Sequence, residues 1–232
     1  MSVRSLESAG MNETVAAFRS AYRAEQIPRG YRGYAQLAGA VGLASAGIAG
    51  CLSWLDPLQP NEWLTVPASF LYANLVEYAG HRGPMHRRMR GLAGIFERHA
   101  REHHRFFTDE EMELESTADL RAVLCPLQTV LFYFGVFGVP AAVLLGWLVS
   151  RNVALLFLAT AFAYYLSYEL MHLAYHSKPE SLLARLPGIR VLRRLHTRHH
   201  DPLFMQVCNF NITWPIGDTI FGTLFVVFPR RR

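Results

Sequence analysis

The hydrophobic positions of this chain fall into long blocks separated by polar and mostly basic segments. From Gly33 to Leu55 and from Ala122 to Ser150 there is no charged residue. Both runs exceed the roughly 20 residues that a helix needs to cross about 30 Å of hydrocarbon. Two shorter uncharged runs, Trp63 to Val76 and Asn152 to Tyr168, each end on a Glu that is followed within one helical turn by a His. They cross only if the helix continues into the His-bearing segment. The pattern predicts an all-α integral membrane protein with four transmembrane helices in two hairpins, at about 34–55, 63–81, 123–149 and 152–172. A cytoplasmic histidine-rich helical cap then comprises 82–121 and 173–232. Too little polar sequence remains for a soluble domain, so 1–232 reads as a single membrane-embedded unit with an interfacial segment at 1–32.

Between Asn12 and Ile27, Val15, Phe18 and Tyr22 recur at helical spacing with Arg19 and Arg23 beside them. This predicts an amphipathic helix, lying among headgroups or packed on the cytoplasmic layer. The first span carries many small residues, Gly39, Gly42, Ala44 and Gly47 among them, which let membrane helices approach closely. Asp56-Pro57 and Gln59-Pro60-Asn61 make the far-side turn, flanked by Trp54 and Trp63 as interfacial anchors. Thr108 with Glu111 predicts a capping box at a helix start. The six acids from Asp109 to Asp119 read as a solvated face, the other reading being a surface that receives metal or docks a partner. Pro126 and Pro140 mark tolerated kinks in the third span. The apolar run from Thr219 to Pro229 is too short to cross and should pack against the cap or the interface. The first apolar run follows about thirty polar residues, so no cleavable signal peptide is expected.

Charge sets the orientation. The turn from Asp56 to Glu62 has no Lys or Arg, and the turn between the third and fourth spans has only Arg151. The other basic residues flank the opposite ends, so both termini and all ten His are expected on the cytoplasmic side. The net charge of +5 then reads as a basic face toward anionic lipid. Nucleic acid is not an expected partner, because no single-strand aromatic motif or helix-turn-helix pattern is present. Cys51, Cys125 and Cys208 form no C-x-x-C pair and read as reduced packing residues.

The ten His come in four constellations: His81 and His86; His99, His103 and His104; His172 and His176; His196, His199 and His200. On a helix, residues three and four apart share a face, so His196, His199 and His200 should point the same way. His99 and His103 stack, while His104 is turned about 100° further, as if addressed to a different metal. His81 and His86 meet only if the helix breaks at Gly83-Pro84. Ten imidazoles in one layer would repel each other when charged and waste hydrogen bonds when neutral. A pair of metal ions uses most of them, and neutral imidazole is the commonest ligand for transition metals. Glu77 and Glu169, about a turn before a His, are candidate acceptors for ring N–H groups that would fix the ligand tautomer; the alternative is polarity at a helix end. Phe132, Tyr133, Tyr164, Tyr165 and Phe204 either line a substrate channel or pack the spans.

The motifs H-x4-H, H-x3-H-H, H-x3-H and H-x2-H-H in a four-span chain resemble those of the fatty acid hydroxylase/sterol desaturase superfamily of membrane di-metal enzymes. The tail is similar to that family's closing N-[FY]-G…P…D-x-x-F-G-T pattern: Asn209-Phe210, Trp214-Pro215, then Asp218-Thr219-Ile220-Phe221-Gly222-Thr223. The resemblance covers about residues 65 to 225 and adds Asn209 and Asp218 as candidates beside the metal. Two departures are Asn211, where the family usually has Gly, and the three-residue spacing in the second His motif. The resemblance implies a non-haem centre of two iron ions on the ten His, with Zn able to occupy such sites on isolation. It implies O2 as co-substrate and hydroxylation of an unactivated C–H bond in a membrane lipid. Desaturation of a lipid, sterol or carotenoid on the same site is the alternative outcome. No flavin, haem or iron-sulfur motif is present, so electrons must come from an external ferredoxin or cytochrome, expected to dock on the Arg-rich face; Arg193, Arg194 and Arg198 read as contacts to headgroups or to that redox partner. A haem cytochrome would instead need axial His facing each other within the spans. A metal transporter would need acids or His in mid-span, and neither long uncharged run has any.

Overall fold

Apolar runs become helices here wherever proline or glycine does not interrupt them, and the interruptions fall beside the histidines. The computed structural model describes residues 15–226, which form helices and turns with no strand among them. Helix α1 covers residues 15–25, α2 Gly33–Ser53, and α3 Thr65–Gly80. The segment 93–106 is α4, Leu120–Val123 is α5, and 127–148 is α6. Then come α7, Arg151–His176, α8, Ile189–His200, and the short α9, Ile216–Ile220.

Three stretches are long and apolar enough to cross a membrane: Gly33–Ser53, Thr117–Leu148 and Arg151–His176. The expected second span is present as α3, but its 16 residues extend only about 24 Å at 1.5 Å per residue. A 3-10 turn, Pro60–Leu64, precedes it. The expected third span is present as α6, after an irregular start at 124–126. Leu124 and Pro126, on either side of Cys125, adopt extended backbone with ψ of 140° and 150°, and Pro126 has no N–H with which to continue the helix from Leu120–Val123. Pro140 sits in the first turn after a π-helical segment, Phe134–Gly138. This bulge accommodates Pro140, which has no N–H to give to the ladder.

Helix α7 is the axis on which α2, α3 and α6 pack. A Cβ at Gly47 of α2 would overlap the Phe162 ring of α7, so the small residue is what permits the close approach. On the outward faces Leu43, Leu52, Val143, Leu144 and Trp147 are exposed, the distribution expected of a surface that meets lipid. At the end remote from the histidines, Glu62 ties the two hairpins together. It accepts hydrogen bonds from the Ser150 hydroxyl (2.6 Å) and the Asn152 amide (3.0 Å).

At the opposite end α1 packs on the helical layer, which settles its alternative placements. Tyr22 is buried with Phe106, Phe107, Leu120, Val123, Leu124 and Leu173. Burying each such aromatic stabilises by roughly 2–3 kcal/mol. Arg19, also buried, donates to the Phe106 carbonyl (2.8 Å), the Glu111 carbonyl (2.7 Å) and the Glu115 carboxylate (2.6 Å). Arg23 pairs with Asp119 and Glu115. Of the six acids, Glu111, Glu115 and Asp119 thus receive α1, Glu113 pairs with Arg193, and Glu110 stays on the solvated face. No helix starts at Thr108: its hydroxyl accepts from the Glu111 N–H (3.2 Å), but the chain stays irregular until Ser116 caps the 3-10 turn Thr117–Asp119.

Candidate metal centre

Backbone irregularity gathers the ten imidazoles, all of them buried. Gly83 leaves the helical region (φ −90°, ψ −106°) immediately before Pro84, and this kink swings His86 back toward His81. Residues Glu97–His103 form π-helix. With more residues per turn than an α-helix, it brings His99 and His104, five apart, to one side and sends His103 to another. The rings of His99 and His103 stack as helical spacing predicts, 5.2 Å apart, but the ligand nitrogen of His99 groups with that of His104, so the assignment to metals is the reverse of the expected one. The triplet of α8 also divides, His199 joining one group and His196 the other, since residues three apart on one helix do not share a single direction.

Two groups result. His81, His86, His99, His104 and His199 bring one nitrogen each within 4.8 Å of one another, and so do His103, His172, His176 and His196. His200 stands between them, its Nε2 3.1 Å from that of His196 and its ring stacked on His104 at 4.3 Å.

The tautomers follow from the hydrogen bonds. His81, His103, His176, His199 and His200 each donate Nδ1–H to a backbone carbonyl, of Phe210, Ala122, Met112, Cys208 and Phe107 respectively. A neutral ring that donates from Nδ1 has its lone pair on Nε2, and these Nε2 atoms point inward. The Nε2 atoms of His81 and His99 are 2.8 Å apart, those of His86 and His199 2.9 Å, and those of His172 and His103 3.2 Å. Between His86 and His199, or His172 and His103, at most one partner has a free proton, so lone pairs crowd together with little in the protein to hold them. Two ligands at 90° about one ion with bonds of about 2.1 Å would be roughly 3.0 Å apart. The donor set and its spacing thus fit metal ions, one in each group. Burial also keeps the rings in the ligand form. Desolvation, helped by neighbouring imidazoles, depresses His86 to about 2, and desolvation depresses His199 to about 4. His99, His103, His104, His196 and His200 lie well below the ordinary imidazole value, chiefly through the same burial.

The two acids expected to hold ring N–H groups have other partners. Glu77 accepts from the backbone N–H of Ile212 and Thr213, the Thr213 hydroxyl and the Tyr164 hydroxyl. Glu169 accepts from the Cys125 N–H (3.1 Å). Backbone carbonyls take the role assigned to them, and nothing in a sequence marks a carbonyl. Asp218 acts one step further out, accepting from the N–H groups of Phe210 (2.9 Å) and Asn211 (2.7 Å). Asn209 adopts the left-handed region (φ 56°) and donates to the Leu195 and Phe225 carbonyls (3.1 Å each). Together they fix the loop whose Cys208 and Phe210 carbonyls hold His199 and His81. Asn211 spans from that loop to α3, donating to the Asn74 carbonyl (3.1 Å).

An apolar cavity of about 130 Å³ lies among α3, α6 and α7 and ends on His81 and Met85. A smaller one of about 40 Å³ touches His99, His103 and His172, hence both groups. The two share Met85, Cys125, Thr129 and Tyr168. Of the expected channel residues, Tyr133, Tyr164 and Tyr165 line the larger cavity. Phe132 does not, and Phe204 stacks on Phe225 at 5.3 Å. On α8, Arg193 pairs with Glu113 and Arg198 with Asp201, which leaves Arg194 and the neighbouring Arg190 exposed.

A family model described as fatty acid hydroxylase matches residues 66–223, a stretch that contains all ten histidines and the closing loop. No curated protein and no solved structure matches the chain.

Proposed function

The chain belongs to the fatty acid hydroxylase family, and from that premise we propose that it is a membrane oxidoreductase hydroxylating an unactivated C–H bond of a lipid with O2 and two iron ions. The observation that carries this reading is the apolar cavity that ends on His81 and adjoins a chamber touching both histidine groups. Its apolar lining suits a hydrocarbon chain and not a polar metabolite.

Bound iron would supply the oxidising power toward an alkyl C–H bond that side chains lack. His81, His86, His99, His104 and His199 would hold one ion, and His103, His172, His176 and His196, with His200 beside them, the other. The carbonyls that accept Nδ1–H keep the rings oriented, so little reorganisation accompanies ligation. The walls between α3, α6 and α7 exclude water and align the chain of the substrate with the centre. In this reading α3, extended by the turn before it, completes a fourth span, and the histidines and both termini face the cytoplasm.

Comparative lipidomics of cells with and without the protein, under labelled O2, tests the proposal. The expected product gains one oxygen carrying the label. A product that loses two hydrogens would move the reaction to desaturation on the same site, and an oxygen derived from water would exclude both. Electrons would come from an external acidic ferredoxin or cytochrome docking near Arg190 and Arg194. Turnover with such a donor should fall as salt rises and fall further in an Arg190→Glu/Arg194→Glu variant. Insensitivity to both changes would remove that surface from consideration.

A further inference from the structure

The hydroxyl of Tyr133 is buried and has no hydrogen-bond partner among the described residues, and the side chain that carries it lines the cavity that ends on His81. A buried donor without a partner costs free energy, so such groups are rare and usually have a use. Two other tyrosines of the lining have their hydroxyls engaged. Tyr164 donates to Glu77, and Tyr72 donates to the Phe137 carbonyl (3.3 Å). Glu77 itself is saturated by the chain around Ile212 and Thr213. The position of Tyr133 is also specifically permitted. A Cβ at residue 80 would overlap the Tyr133 hydroxyl, so Gly80 is what lets that hydroxyl rest against α3, one residue before His81. The remaining lining is almost wholly apolar, with Val76, Val130, Phe134 and Phe157 prominent.

We propose that Tyr133 is a specificity-determining residue whose hydroxyl donates a hydrogen bond to an oxygen carried by the substrate close to the carbon that is oxidised. The substrate class is then a lipid already bearing an accepting oxygen, such as a carbonyl, and not an unsubstituted hydrocarbon chain. This rests on the cavity being the substrate passage of the proposed oxygenase. The apolar wall binds either kind of chain, while the hydroxyl discriminates between them and fixes which carbon lies beside the centre. A site built to bond an oxygen rejects the analogue that lacks it, because the donor is then left unpaired.

The test is competition against tritiated hexadecane on the purified full-length protein in lipid nanodiscs. The unlabelled competitors are hexadecane and a positional set of hexadecanones with the carbonyl at successive carbons. On the wild type, at least one isomer should compete about tenfold better than hexadecane, the value of one hydrogen bond. Tyr133→Phe should bring that isomer to within about twofold of hexadecane while the affinity for hexadecane stays unchanged. Gly80→Ala, which displaces the hydroxyl without removing it, should erase the same preference. A wild type that prefers no isomer, or a Tyr133→Phe variant that keeps the preference, overturns the proposal. So does an equal loss of affinity for all competitors in a Tyr133→Phe protein that retains its metal. Ketone preference in a protein that yields no oxidised lipid in cells would refute the oxygenase reading, and with it the placement beside an oxidised carbon, while the hydrogen bond from Tyr133 to a ligand oxygen stood.

Discussion

An imidazole that gives its Nδ1 proton to a carbonyl has one direction left in which to bind, and five of the ten histidines are held in that way. Ligation should therefore be lost group by group. His199→Ala and His103→Ala, one from each group, should each lower bound metal by one ion per chain and cut product by more than about 100-fold. Metal analysis beside lipid product measures both. Glu77→Ala should behave differently, since its carboxylate clamps Ile212, Thr213 and Tyr164. It should destabilise the protein by about 2 kcal/mol or more, read as a lower melting temperature, while the folded fraction keeps its metal. Were Glu77 holding a ring N–H, metal would be lost first. The identity of the histidines was legible in the sequence because clustering of a scarce residue type is a chemical signal. The groups that orient them were not, because Ala122 or Met112 contributes only a carbonyl, and its position depends on the path of the chain.

Within the elements, the departures from regular helix do the sorting. Uncharged runs located α2, α3 and α7 to within a few residues, yet helical spacing assigned His99 with His103, since a π-turn leaves no mark in the pattern of apolar positions. At Gly83-Pro84 the break was visible, because proline announces itself. The acidic segment misled for a related reason: Asp109 to Asp119 looks solvated until the arginines of α1 are brought to it from about ninety residues away. Gly80→Ala tests the balance of local and tertiary effects. In an isolated helix the change gains up to about 1 kcal/mol, but here the new methyl collides with Tyr133. The net result should be a lower melting temperature with bound metal retained, where a helix governed by propensity would melt higher.

Across the whole molecule, α1 acts as a strap over the histidine end, fastened by Arg19 and Arg23 to Glu115 and Asp119. Burial opposes a charge on Asp119, but Arg23 and the N–H groups of Ser116 and Glu115 outweigh it and hold the carboxyl below its ordinary value. A carboxylate lowered in the folded state stabilises above its unfolded pKa, near 3.9, and that contribution is lost as pH falls through the folded value. Wild-type melting should thus drop on acidification below about pH 4 more steeply than that of Asp119→Asn, which starts lower at neutral pH. Parallel curves would detach the strap from this carboxylate. The amphipathic pattern of α1 was legible, but whether its arginines met phosphates or carboxylates was not, since both are anions and only the fold says which is near. The carbonyl supports of the histidines have a different kind of consequence, for how the gene tolerates change. Phe107, Met112, Ala122, Cys208 and Phe210 each hold a ligand with an atom that every amino acid possesses, so no substitution there deletes the support. A saturation-mutagenesis map of product formation should show the ten histidines as intolerant and these five positions limited only by size and polarity. Insertions or deletions of a single residue in 107–122 or 208–210 should be as damaging as the loss of a histidine.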